Sequence, residues 1–459
     1  CGPMTSSLAP VHPLLDAVLG DSFARALSAA SPETVGRISA VVGLSVDVVG
    51  VTGAVGDLLE VGDPGAGPVV PLEVVAATSG QGTTLRCMPL GPVAGLRPGM
   101  PVRGTGRALT APVGDGLLGR VLDGLGRPAD GKGRLPGVRH VPVTGRAPSA
   151  LARARVDVAL SLGVRAMDTM ATVGRGQRIG LFAGSGVGKS SLLSMIARGT
   201  EAEISVIALV GERGREVREF IEDDLGPDGL ARSVVVVATS DEPPLVRLRA
   251  AFVATRIAEE FRAQGRDVVL MMDSLTRVAM AQREIGLSVG EPPATRGYPP
   301  STFSLLAQLL ERAGTAEQGS VTGIYTVLVD GDDHNEPIAD AARSILDGHV
   351  VLTRELATAG HFPSIDVLGS VSRVASRVTS PAQRAAATHL RQVLAARRRA
   401  QDLIDVGAYA AGSNALVDAA VEHAEAIDAF LRQEMAEVAV DADSWAMLER
   451  LVAATGGGR

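Results

Sequence analysis

Residues 183–190 read Ala-Gly-Ser-Gly-Val-Gly-Lys-Ser, and this octet constrains the fold more than any other part of the chain. Three glycines at alternate positions let successive backbone N–H groups turn inward on one anion. Gly184, Ser185, Gly186, Val187 and Gly188 are therefore candidates to cradle phosphate. Lys189 supplies positive charge for the outer phosphates, Ser190 an oxygen ligand for Mg²⁺, and Ser191 opens the next element beside them. Upstream, Arg178–Phe182 has the apolar texture of a short buried strand. Downstream, Ser191–Ala197 reads as a helix whose positive N-terminus faces the same phosphates. A glycine turn before a helix is common, but the Gly-Lys-Ser ending in strand–loop–helix context is specific. The usual first glycine is Ala183 here, at a position that contributes mainly backbone.

The chain has 459 residues, long enough for about three domains. Hydrophobic residues make up 46% and aromatics only 3%, so the cores must rest on Val, Leu, Ala and Ile. A net charge of −7 and an isoelectric point near 5.6 argue against nucleic acid as a partner, which requires a basic surface. Of the two cysteines, Cys1 belongs to Cys1-Gly2-Pro3 before Met4, which reads as a tag remnant and is set aside. The single remaining thiol, Cys87, fits a reducing cytoplasm. There is no apolar run of the roughly 18–20 residues that a membrane span needs, and no signal peptide. The expected state is soluble and cytoplasmic, with membrane contact at most peripheral.

Four regions follow from the texture of the chain. Residues 1–35 hold the remnant and a helix, Leu8–Ala30, with one apolar face; it either packs on its own domain or docks a partner. Residues 36–107 alternate short Val-rich runs (Arg37–Val42, Val46–Val51, Pro68–Ala76) with Gly, Pro and Asp turns, which predicts a small β domain, barrel or sandwich. Residues 108–380 begin with a glycine-rich connector, Gly114–His140. They then alternate helices with strands predicted at Ser205–Val210, Arg232–Thr239, Asp267–Met272, Gly323–Val329 and Gly348–Thr353, the pattern of a parallel sheet covered by helices. Residues 381–459 are helical. Arg397-Arg398-Arg399, within Ala382–Asp405, reads as a solvated face, with an acidic partner as the other option.

Further signals follow the phosphate loop. Gly211-Glu212-Arg213-Gly214-Arg215-Glu216 comes directly after a predicted strand. Such charged clusters are ordinarily solvated loops, but a carboxylate at a strand end beside a phosphate loop can polarise water for attack. Asp267–Asp273 is five apolar residues ending in Asp273, the form of a buried strand delivering a carboxylate to Mg²⁺. Arg373, in Val371-Ser372-Arg373, is a candidate for the arginine that neutralises transition-state charge. Phe362, in Gly360-His361-Phe362-Pro363, can stack on adenine or simply pack. Asp330, Asp332 and Asp333 read as a hydrogen-bonded loop rather than an ion site.

These motifs, in this order, resemble the rotary-type secretion ATPases, which are related to the catalytic subunit of F-type ATP synthase. The resemblance runs from about Gly36 to Arg432. It is most specific at Gly119–Pro128, the phosphate loop, Gly211–Glu216, Asp273–Arg277, Gly290–Pro300 and Ile345–His349. Asp332–Asp340 and Ile427–Gln433 look most like the flagellar type III export ATPases, with the injectisome ATPases second. The resemblance implies an α/β core, a RecA-like P-loop parallel sheet with flanking helices, between an N-terminal small β-barrel domain and a C-terminal all-α domain. It implies ATP and Mg²⁺ as cofactors. Lys189 would hold the terminal phosphates, Ser190 and Asp273 the metal, and Glu212 the general-base position. Arg213 would contact the terminal phosphate, Arg277 would belong to the same site, Arg373 would be a finger given to the adjacent subunit, and Phe362 would pack beside adenine. It further implies a homohexamer with a β-domain crown and partners: a central coiled-coil stalk, a stator-like regulator on the N-terminal helix, the export gate and chaperone–substrate complexes. The expected location is the cytoplasmic face of the inner membrane. A non-hydrolysing regulatory subunit is disfavoured by the presence of Glu212, and a ring RNA translocase by the acidic charge.

Overall fold

The computed structural model describes residues 34–62, 69–80, 82–329 and 336–457. The helix read at Leu8–Ala30 and the aspartates 330, 332 and 333 lie outside them.

The first domain is a closed barrel. Its strands are β1 (Val35–Val42), β2 (Ser45–Val49), β3 (Asp57–Val61), β4 (Val70–Gly80), β5 (Gly82–Pro89) and β6 (Pro101–Ala108), hydrogen-bonded in the order β1-β2-β5-β4-β3-β6. Alternate residues point inward, so Ile38, Val46, Val48, Leu59, Leu72, Val74, Leu85 and Val102 fill the interior. Of the two readings, barrel and sandwich, the barrel is the one observed; closure leaves no unpaired edge. Glu73 anchors it to the next domain through an ion pair with Arg249, whose Nε donates to Glu73 Oε2 at 2.8 Å.

The connector reading of Gly114–His140 needs correction. After β7 (Thr110–Val113), this stretch contributes β8 (Arg120–Asp123), and β9 (Arg139–Pro142) closes back on β7. β8 pairs in parallel with β12 (Ser233–Thr239) and forms an edge of the main sheet. Four residues among glycines carry too little periodicity to declare a strand. A buried ion pair, Arg120 Nε to Asp130 Oδ2 at 2.7 Å, folds the following loop back onto it.

The main sheet has the order β17-β16-β10-β15-β13-β11-β12-β8. Here β10 is Arg178–Ala183, β11 Ile204–Glu212, β13 Asp267–Asp273, β15 Ser320–Leu328, β16 Gly348–Leu352 and β17 Ile365–Ser372, while β14 (Gly314–Thr315) pairs only with β15. The strands from β8 to β16 run parallel; β17 runs antiparallel on the edge. Both faces are covered, so the parallel strands are apolar on both sides. Val234, Val236, Val268, Leu270 and Met272 meet the helices Pro244–Ala263 and Leu275–Ser288. Ile207, Leu209, Val269, Met271 and Ile324 belong to the opposite core, with Leu192, Leu193 and Ile196 of the helix Lys189–Gly199.

After Ser380 the chain is helical: Pro381–Asp405, Ala415–Glu422, Ala424–Leu431 and Asp441–Ala454. The long helix starts with Pro381 at its first position and a reciprocal cap, in which Ser380 Oγ accepts the Gln383 N–H and Gln383 Oε1 accepts the Ser380 N–H. Leu390, Val393, Trp445 and Leu448 pack this region onto the sheet core.

Candidate active site

The site lies at the carboxyl ends of β10, β11 and β13, where a parallel sheet opens a crevice for ligands. β10 feeds the phosphate loop, which feeds the helix Lys189–Gly199. Gly188 takes φ +90° at the helix start, a conformation that side-chain-bearing residues avoid, and a Cβ there would also meet the Phe362 ring at 3.5 Å. No side chain caps this helix, so its first N–H groups remain for an anion. The loop is tied from behind: Ser364 Oγ donates to Val187 O at 2.5 Å and Arg354 Nη2 to Ser185 O at 3.4 Å. Ser185, Gly186 and Ser190 are exposed, and Ser191 is half-buried.

Three predicted residues meet in one cluster. Glu212 ends β11 and Asp273 ends the neighbouring β13, so strand pairing places both carboxylates at one edge. The Lys189 ammonium lies between them. It contacts Asp273 Oδ1 and lies 3.4 Å from Glu212 Oε1. All three side chains are largely buried, at 12%, 14% and 6% exposure for Lys189, Glu212 and Asp273. Burial works against the lysine charge, yet the two carboxylates outweigh it and hold the Lys189 pKa above its ordinary value. Glu212 is pushed up, chiefly by burial and further by Asp273, while Lys189 pulls the other way. A carboxylate so poised accepts a proton more readily than a solvated one. Ser190 and Asp273 offer a hydroxyl and a carboxylate, hard oxygen donors of the kind Mg²⁺ takes.

The other predicted residues take different places. Arg277 lies one helical turn into Leu275–Ser288, its stem on Gly211, where a Cβ would come within 2.9 Å of Arg277 Cβ. Its Nε is buried without a protein partner. Arg213 is exposed and pairs with Glu216 at 3.3 Å, and Glu216 in turn shares a hydrogen bond with Glu212. Arg373 is at the opposite end of the sheet. Its N–H donates to Asp347 O, whose own N–H donates to Arg178 O at the start of β10, whereas the phosphate loop leaves β10 at its other end. Six residues of strand separate them, roughly 16–20 Å.

Phe362 is 47% exposed on the rim of a cavity of ≈ 640 Å³ beside the loop. Its walls mix the two domains, Gly188, Ser191, Leu192 and Met195 facing Arg432, Gln433 and Met435. Sequence reasoning missed the clamp behind it. The Gln433 amide accepts the Arg165 N–H and donates to Gly163 O and Glu437 O, all at 2.8 Å, and the Gln433 N–H donates to Phe362 O at 3.0 Å. The Arg165 guanidinium bonds Phe430 O and Arg432 O and pairs with Glu437. No local pattern signals contacts spanning about 270 residues of chain.

This geometry matches known proteins along nearly the whole chain. The ATP synthase alpha/beta family nucleotide-binding domain matches residues 163–372, and the T3SS EscN ATPase C-terminal domain matches residues 379–450. The flagellum-specific ATP synthase of Bacillus subtilis is 50% identical over 417 residues, which are 91% of this chain and 94% of that protein. The chain belongs to the flagellar and type III secretion ATPase family. The type 3 secretion system ATPase of Xanthomonas euvesicatoria is 48% identical over 87% of this family member and 89% of its own length. The assembled ATPase EscN from the type III secretion system of enteropathogenic E. coli superposes with a TM-score of 0.86, at 42% identity over 91% of this chain and 100% of that one. EscN in complex with its central stalk EscO gives 0.84 at the same identity and coverage. This flagellar and type III secretion ATPase is therefore an ATP hydrolase. The expected barrel, nucleotide-binding sheet and helical C-terminal region are all present, and the flagellar export reading is supported, with injectisome relatives matching nearly as well.

Proposed function

We propose that the chain works as a homohexameric ring whose ATP sites are each completed by two neighbouring copies. The observation that carries this reading is the place of Arg373. It stands a strand length from the Lys189–Glu212–Asp273 cluster of its own chain, farther than an arginine side chain reaches, so a finger role requires another copy. One chain carries both halves, Glu212 and Arg373, and a ring of identical subunits needs no second subunit type.

In each site Gly184–Ser191 and Lys189 bind the phosphates and Phe362 stacks on adenine. Glu212 orients the attacking water and accepts its proton. The Lys189 ammonium bridges Glu212 and Asp273, and a phosphate entering the loop competes for it, which releases Glu212 for that task. Asp273 and Ser190 would hold Mg²⁺, which neutralises charge on the phosphates. Arg277, its stem on Gly211, would serve the same phosphates, and Arg213 would do so after leaving its pair with Glu216.

The division of labour follows the chain: residues 36–107 form the crown, 108–380 the motor, and 381–459 the face toward cargo. Residues 8–30 dock a stator-like regulator. A central coiled-coil stalk fills the ring, by analogy with the EscN assembly that contains one. The export gate and chaperone–substrate complexes are the remaining partners, at the cytoplasmic face of the inner membrane. The test is ATPase rate per protomer against protein concentration, with the assembly state followed by sedimentation. The rate should climb steeply as rings form; a constant rate per protomer across the monomer-to-ring transition would reject the shared site.

A further inference from the structure

The mechanism above gives Asp273 one partner, Lys189, that phosphate competes for. A second partner is permanent. β15 lies between β10 and β13, and its pairing of Tyr325 with Met272 sets Thr326 opposite Asp273. Thr326 is fully buried. Its hydroxyl lies 2.7 Å from Asp273 Oδ1 and 3.2 Å from Met272 O. A hydroxyl has one proton, and the shorter contact to a carboxylate takes it.

Packing alone does not call for a hydroxyl here. Strand alternation puts Thr326 on the same side as Ile324, in the core of the phosphate-loop helix, while Tyr325 and Val327 face the other core. An aliphatic β-branched residue would fit the surroundings, and a buried hydroxyl costs stability unless it is hydrogen-bonded. The end of the strand is also fixed: the Leu328 N–H donates to Thr276 Oγ1 at 2.9 Å, which ties β15 to the turn after Asp273. Thr326 is thereby held in register with the carboxylate it contacts.

We propose that Thr326 is a positioning residue for Asp273: it pins Oδ1 so that, once Lys189 turns to the phosphates, the carboxylate keeps one orientation and its other oxygen, Oδ2, faces the metal side. This rests on the reading of Asp273 as the metal-side carboxylate. Thr326 touches no substrate; it acts through Asp273. Lys189 is the exchangeable partner of Oδ1 and Thr326 the constant one.

The test compares Thr326→Val, Thr326→Ser and Asp273→Asn in the full chain. ADP binding is titrated calorimetrically with and without Mg²⁺, and turnover is measured alongside. Thr326→Val should cut the Mg²⁺-linked tightening of ADP binding and kcat by about tenfold each, the loss of one charge-assisted hydrogen bond. Thr326→Ser, which keeps the hydroxyl, should restore both to within about threefold. Should valine disturb folding, Thr326→Ala serves in its place with the same expectation. A valine variant that loses thermal stability yet keeps the full Mg²⁺ linkage would mean Thr326 is structural and would overturn the proposal. Failure of serine to rescue would do the same. If Asp273→Asn abolishes the linkage and Thr326→Val leaves it intact, only the anchor is wrong. If Asp273→Asn also leaves it intact, the underlying reading of Asp273 is wrong.

Discussion

Replacing Lys189 with alanine tests the electrostatics of the cluster without any substrate. The ammonium sits between two carboxylates in a site where all three side chains are at least 86% buried by the exposures above. Removing one partner of a buried ion pair typically costs about 3–5 kcal/mol, because a charge is left uncompensated. Here protonation caps the penalty. Glu212 is already pushed above its ordinary value of 4.5 by burial, and losing Lys189 pushes it further. Neutralising it at pH 7 costs at most about 3.5 kcal/mol, from the 2.5-unit gap at about 1.4 kcal/mol per unit. The sign follows from linkage. A carboxyl group with a raised folded-state pKa binds more protons folded than unfolded, so its stability contribution is intact at low pH and is lost as pH rises. The destabilisation by Lys189→Ala should therefore be small near pH 5 and grow by roughly 1–1.4 kcal/mol per unit toward pH 7. Adding Glu212→Gln should remove most of that slope. Urea unfolding of the nucleotide-binding domain from pH 5 to 8 reads both. A penalty independent of pH, or one that grows as pH falls, would refute the assignment of Lys189 as the compensating charge.

Three more outcomes are expected. Glu212→Gln should lower kcat by about 10²–10⁴-fold, the range of a lost general base, while calorimetric ATP affinity holds; in the parent enzyme, turnover should fall with acid through a midpoint above the ordinary glutamate range, since only the ionised carboxylate accepts a proton. Phe362→Ala should raise KM for ATP by about tenfold, the loss of base stacking worth about 1–3 kcal/mol, with kcat little changed in steady-state assays. Asp168 is fully buried, accepts the Leu162 N–H at 2.8 Å and the Ser161 hydroxyl at 3.2 Å, and is pushed by burial to about 7; its contribution to stability should be lost as pH rises from about 4 to 7, by roughly 1.4 kcal/mol per unit, and Asp168→Asn should flatten that slope in denaturation curves taken across this range.

The parts legible in the sequence were those whose meaning is local. The loop 183–190 announces itself because only glycine takes its turns and only a lysine and a hydroxyl finish it. Asp273 and Glu212 were readable because each ends an apolar run long enough to be a strand, and adjacent strands then bring them together. What went unread depends on distant chain. β8 is four residues that become a strand only against β12. Thr326 is one hydroxyl in an apolar run, visible as an interruption but without meaning until β13 lies beside it. The clamp of Arg165 and Gln433 behind the cavity beside the phosphate loop joins residues from two domains. Arg373 is a candidate from its sequence context, yet nothing in its tripeptide places it at the far end of β10, the placement on which the proposed neighbouring-copy role rests.

The most direct test of the shared site mixes two inactive proteins. Arg373→Ala should bind ATP but not hydrolyse it, and Glu212→Ala should do the same for the opposite reason. Assembled together, some interfaces pair an intact Glu212 with an intact Arg373 from the next subunit. The mixture should regain a substantial fraction of the parent ATPase rate, highest near equal proportions. Mixed rings, verified as mixed, that remain as inactive as either parent variant would contradict the claim that one copy completes the site of another.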